Sequence, residues 1–412
     1  MQIAEWTVSE RASTLVLAIL ILVSSASAAT GGKVLYSFAG GRDGSNPAAG
    51  LIFDGAGNLY GTTQNGGVQQ AGTVFELTPN SDGTWTESEI YSFKGSPDGA
   101  APKCNLIFVA GNLYGTTIQG GVNNGNEGGD GTVFELTPVS GGGWTETIIH
   151  SFGSGADGII PEAGLMAGIA GNLYGTTVQG GTHGLGTVFE LTPASEGWTE
   201  SVIYSFPGGK SGAGPITGLI SDPTGNLYGT TTGGGTQGLG NIFKLTHGAH
   251  GKWTESVIHT FTGGRWGANP YGELVFDGMG NLYGMTAVGG TRNWGIAFEL
   301  TLNSDGKWSE SVLHSFAGGQ DGRNPYASFI FDGAGSLYGT TALGGGNGTG
   351  AVFKLSPFGD QWTEIVVYGF PGNRLNGELP IAGVILDAAG NLYGMTPKGG
   401  AHGKGVVYEV AQ

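Results

Sequence analysis

The residues of this chain that could do chemistry are a run of glycines, seven histidines and a set of recurring aspartates. Gly233-Gly234-Gly235-Thr236-Gln237-Gly238 satisfies G-x-G-x-x-G, the turn that brings backbone amides against a pyrophosphate. A dinucleotide site needs a helix next, but the chain continues into NIFKLT, a strand. The stretch GNLYGTT at 57–63 also lacks the lysine and the adjoining helix of a phosphate loop. Its glycines therefore serve shape. Gly57 and Asn58 sit where a hairpin needs positive φ, and Gly61 lies mid-strand, where a missing side chain admits a neighbour.

His150, His259 and His314 hold a position that Tyr36, Tyr91, Tyr204 and Tyr368 hold in other copies of a repeat, which reads as a packing site with a polar tip. His183, His247, His250 and His402 are scattered over loops, with no H-x3-H or cysteine partner at zinc-ligand spacing. Asp54, Asp222, Asp277, Asp332 and Asp387 each follow a short apolar run and precede a Gly-Asn or Gly-Ser step, as in a turn whose carboxylate accepts backbone N–H bonds. A ring of such carboxylates could take calcium, but the ligand-dense D-x-D-x-D-G pattern is absent. No cofactor is implied. Asp43, Asp98, Asp157 and Asp321 open a second recurring turn, Asp-Gly-x-x-Pro. No Ser-His-Asp order or G-x-S-x-G elbow appears, so no catalytic residue is assigned.

The elements that position these residues repeat. The tyrosines Tyr60, Tyr114, Tyr174, Tyr228, Tyr283, Tyr338 and Tyr393 recur at 54, 60, 54, 55, 55 and 55 residues, the long interval coming from an insert around Asn123 to Asp130. Each unit has four short apolar segments, in the first GLIFD (50–54), NLYGTT (58–63), TVFELT (73–78) and WTESEIYSF (85–93), separated by Asp/Asn/Gly turns. TVFELT alternates with strand periodicity. One four-stranded sheet cannot bury both faces, whereas sheets set radially around an axis can. The expected fold is all-β, a seven-bladed β-propeller with four antiparallel strands per blade. After the expected leader the mature chain opens with KVLYSF (33–38), an outermost strand without its blade, and the last unit stops after GVVYEVAQ without one. The N-terminal strand should complete the last blade and close the ring, which removes an exposed edge. A β-solenoid is the competing architecture, with rungs usually shorter than this repeat.

GNLYGTTxxGG, GTVFELTP and the WTE...HSF strand resemble the GloVer tandem repeat of the Gloeo/Verruco type, found in bacterial extracellular proteins described as choice-of-anchor. The resemblance covers nearly the whole chain after residue 28 and implies export and a propeller-like repeat. It supplies no activity and no catalytic residues. Anchored members carry a C-terminal sorting signal, whereas this sequence reaches Gln412 without a hydrophobic tail, so release is expected.

Residues 1–28 read as a signal peptide, with an apolar run from Leu15 to Val23 and Ala26-Ser27-Ala28 as the cleavage motif, leaving 29–412 as one propeller domain. The protein is expected to be secreted or periplasmic after cleavage near Ala28. A formal charge of −16 disfavours nucleic acid and anionic membrane as partners. Cys104 is the single cysteine, so no intrachain disulfide can form, and a monomer is expected.

A unique site should lie where the copies differ, on the face carrying the loops from strand four to the next strand one and from strand two to three. There the fifth unit carries Arg265, Trp266, Tyr271, Arg292, Asn293 and Trp294, and the sixth Arg323, Asn324 and Tyr326. Aromatic faces stack on pyranose C–H groups and Arg/Asn read hydroxyls, so these nine are the candidate ligand-binding residues. The expected function is a non-enzymatic binding module for carbohydrate or another extracellular ligand. The alternatives are a propeller enzyme, either polysaccharide-degrading or a lactonase, and a purely structural or adhesion protein.

Overall fold

The computed structural model describes residues 31–123, 128–153, 156–248 and 251–412. The expected leader and His250 lie outside the described residues. In the first blade Ile52–Phe53, Leu59–Thr63, Thr73–Pro79 and Trp85–Ser92 pair antiparallel in sequence order. Five further sheets have the same order. The seventh joins Ile385–Leu386, Leu392–Thr396 and Val406–Val410 to the N-terminal strand Gly32–Ser37, which pairs antiparallel with Val406–Val410. The sheets form a ring, so the fold is the expected seven-bladed β-propeller with its N-terminal clasp. Among the described residues no helix is long and apolar enough to cross a membrane.

The alternation of TVFELT feeds two cores instead of one core and solvent. Phe75 and Leu77 pack with Phe38, Met395 and Val407 of the preceding blade, while Val74 packs with Leu106, Leu113 and Phe134 of the next. Both faces of every blade are therefore buried, and each interior Phe contributes about 1.5–3 kcal/mol. Edge-to-face pairs such as Phe38–Phe75, with centroids 5.1 Å apart, connect one blade to the next.

GNLYGTT is shaped as its glycines require, with one correction. Gly57 has φ of 88° in the hairpin, but Asn58 is not left-handed; its side chain instead donates to Asp54 Oδ2 at 2.8 Å. Asp54 Oδ1 accepts the N–H groups of Ala56 and Asn58 at 2.8 and 2.9 Å. Burial works against the Asp54 charge, but these hydrogen bonds outweigh it and hold the carboxyl below its usual range. Gly61 faces Phe75: a Cβ there would lie 2.7 Å from the ring, too close for any residue but glycine.

Candidate functional site

Both variable loops of each blade emerge on one face, because they pair with each other. Ala268 bridges Val288, Arg323 bridges Leu343, and Gly99–Ala100 pairs with Gln119–Gly120. The Asp-Gly-x-x-Pro turn then delivers the chain to the axis. Asp43 takes the N–H groups of Ala39 and Gly41, Gly44 turns with φ of 89°, and Pro47 rests on Gly405 of the preceding blade, where any side chain would collide with the ring. The same proline-on-glycine contact recurs at Pro102 on Gly72 and Pro270 on Gly240.

The residue after each proline lines the mouth of the axial channel. Around the ring these are Ala48, Lys103, Glu162, Ile216, Tyr271, Tyr326 and Ile381, enclosing a cavity of about 510 Å³ with Thr232. In the blade order the adjacent pair Lys103–Glu162 lies across the ring from the adjacent pair Tyr271–Tyr326. Lys103 and Glu162 form an ion pair, and the tyrosine rings meet edge to face with centroids 5.2 Å apart. A second cavity of about 110 Å³ adjoins it, lined by the same residues and by the ones that follow them in each blade, among them Asn105, Glu273 and Ser328.

Bonds between blades hold this ring. Thr116 Oγ1 donates to Ala163 O at 2.9 Å, Thr176 Oγ1 to Thr217 O at 2.9 Å and Thr340 Oγ1 to Ala382 O at 3.0 Å, each tying a second strand to the axial segment of the next blade. Asn105 Oδ1 accepts Gly50 N–H at 2.6 Å, and Ser328 Oγ accepts Glu273 N–H at 3.0 Å. The Glu273 carboxylate accepts the Gly218 N–H and occupies the space a side chain at 218 would need. Burial pushes its carboxyl up, and the Gly218 bond only partly offsets this. Cys104, in the same layer, is buried with its thiol pushed up, which leaves it unreactive.

Of the nine residues expected from sequence, the structure brings Tyr271 and Tyr326 together at the axis and sets the other seven apart from them. Trp266 and Arg265 stand on the 3-10 turn Gly264–Trp266, the guanidinium 4.3 Å from the indole centroid, beside a groove of about 460 Å³ shared with Glu310 and Val312 of the outermost strand. Arg323 lies over Trp294, 4.5 Å from its centroid, and Trp294 packs against the core between blades five and six. Asn324 is left-handed, and its amide donates to Ala287 O at 3.0 Å. Asn293, also left-handed, accepts Gly289 N–H at 3.0 Å. Both asparagines shape turns. Arg292 is exposed.

Sequence reasoning missed Lys103, Glu162, Ile216, Ile381, Asn105, Glu273 and Ser328. The available signal was the column after each proline, where seven similar copies read Ala, Lys, Glu, Ile, Tyr, Tyr and Ile.

The face's outer margin carries a second polar arrangement at the joints between blades. Tyr91 Oη donates to Asp98 Oδ2 at 2.9 Å and lies 3.3 Å from Glu146 Oε2 of the next blade. His150 and His314 stand in the tyrosine position, with Nε2 3.3 Å from Asp157 and 2.8 Å from Asp321. At the joint of blades four and five Trp266 occupies the aspartate position, leaving His259 with Glu310 alone at 3.4 Å. Burial pushes Glu310 up to about 8 and His259 down to about 4, so this contact joins two neutral groups.

The model of the Gloeobacter/Verrucomicrobia repeat matches residues 21–220, 122–308 and 249–412, which together run through the whole propeller. The chain belongs to the Gloeobacter/Verrucomicrobia repeat family. No protein with a curated description matches it. Among solved structures this family member is similar to a 6-phosphogluconolactonase candidate from Bacteroides uniformis, at 17% identity over 84% of this chain and 88% of that one, with a TM-score of 0.53. It is also similar to an ancestral GH74 enzyme at 11% identity and a TM-score of 0.51, over 89% of this chain and 48% of that one, so it spans about half of that enzyme. At these identities the likeness shows the fold alone.

Proposed function

We propose that this propeller is a secreted, non-enzymatic binding module that takes a carbohydrate at its axial mouth. One observation carries the reading: the repeats diverge after the proline into a cation–carboxylate pair facing a tyrosine pair around a cavity of about 510 Å³. Tyrosine rings offer apolar faces to sugar C–H groups, while Lys103, Glu162 and Asn105 offer donors and acceptors to hydroxyls. A glycan array tests it. A hit should lose at least tenfold in affinity in the Tyr271→Ala, Tyr326→Ala double variant. No hit, or a hit indifferent to the variant, sinks the reading.

Glu273 favours a second reading, glycoside or lactone hydrolysis at the same mouth. A carboxyl pushed up by burial is suited to act as a general acid, and Glu162 lines the same cavity. Turnover of a chromogenic glycoside or a lactone that Glu273→Gln abolishes while binding persists would support it. A native protein inert on both substrates removes its basis.

A further inference from the structure

We infer that His150, Asp157 and Glu200, and three blades further on His314, Asp321 and Glu364, form two equivalent sites for a divalent transition-metal ion of the zinc class. In each set the candidate ligand atoms lie within 4.8 Å of one another. The histidine comes from the outermost strand of one blade, the aspartate from the loop leaving it and the glutamate from the outermost strand of the next, so each ion would pin a blade joint.

The geometry is nearly assembled. Zinc bond lengths of about 2.0–2.2 Å set neighbouring ligand atoms of a tetrahedron about 3.4 Å apart. The imidazole and aspartate atoms already stand at 3.3 and 2.8 Å, and the glutamate has to close in by on the order of 1 Å. Second contacts fix the donors. Asp157 takes the N–H groups of Gly153 and Gly158 at 3.0 and 2.7 Å, Asp321 takes that of Ala317 at 2.5 Å, and His150 and His314 stand edge-on to Phe152 and Phe316. All six residues are half-buried, which leaves an ion a way in. One imidazole with two carboxylates suits zinc and its neighbours, whereas calcium and magnesium favour oxygen ligands throughout.

The other joints explain why only these two qualify among the described residues. Where tyrosine replaces histidine, as at Tyr91, the phenol oxygen stands within hydrogen-bond distance of both carboxylates and itself bridges them. At His259 the aspartate is replaced by Trp266, so the third ligand is missing. Glu200 and Glu364 each keep one buried oxygen without a hydrogen-bond partner, a feature shared with the tyrosine joints. An ion therefore displaces a single hydrogen bond at each site, that between histidine and aspartate.

The repeat supplies the control variants. His150→Tyr and His314→Tyr install the side chain that other joints already accommodate, so folding should persist. Zn2+ is titrated calorimetrically into the full chain stripped with a chelator, with bound metal counted by mass spectrometry. Two ions per chain are expected in the native protein, one in either single variant and none in the double variant. His259→Tyr should leave two, and the metal-free melting temperatures should agree within a few degrees. No saturable Zn2+ binding, a stoichiometry indifferent to the two histidines, or preference for Ca2+ would each overturn the inference.

Discussion

Single residues in this molecule are set by the strand or the blade next door. Gly61 exists because Phe75 fills its side-chain space, and Gly61→Ala should destabilise by roughly 1–3 kcal/mol, read as a lower denaturation midpoint at unchanged slope. An unchanged midpoint would mean that the Phe75 ring moves aside freely. The joint of blades four and five makes stability depend on pH. Glu310 is raised to about 8 by burial, so the folded state holds a proton that the unfolded state releases near its ordinary value of 4.5. Its stabilising contribution is therefore complete below about pH 4.5 and is lost as pH rises through about 8. Glu310→Gln stays neutral throughout. Its melting temperature relative to the native chain should improve steadily between pH 5 and pH 8; a difference independent of pH would show that burial does not raise the Glu310 carboxyl.

Among the elements, the N-terminal strand matters most. Gly32–Ser37 covers the edge of Val406–Val410, and Phe38 directly after it is fully buried against the first blade. Removing residues up to Phe38 should leave an unpaired edge and an open ring, giving a lower melting temperature and aggregation visible by light scattering. A monodisperse truncation of native stability would contradict closure by the clasp. This feature was legible in the sequence because KVLYSF lacks a blade and GVVYEVAQ lacks a strand. The Asx turns at Asp54 and its copies were legible for the same reason: repetition turns a local pattern into five observations. Asn58 was misjudged because a side chain that bonds Asp54 and one that tolerates left-handed backbone look alike in a string of letters. Trp266 departs from the repeat at the aspartate position, as GGRWGANP set beside GGRDGSNP shows, but that this position lies at a blade joint beside Glu310 is visible only in the packing.

For the whole molecule, the ring converts residues more than fifty positions apart into neighbours. Lys103 and Glu162 read along the chain as unrelated loop charges; around the axis they are adjacent and face Tyr271 and Tyr326. The triads at His150 and His314 were hidden likewise, since their glutamates arrive from the next blade's outermost strand. The central claim is that function sits at the axis and not on the aromatic groups of the margin. Its most direct test is calorimetric titration of one glycan ligand into the native chain, the Tyr271→Ala, Tyr326→Ala variant and the Trp266→Ala, Trp294→Ala variant. The axial pair should weaken binding at least tenfold, with the marginal pair within about twofold of native. Loss of binding in the marginal pair, with the axial pair unchanged, would contradict the account.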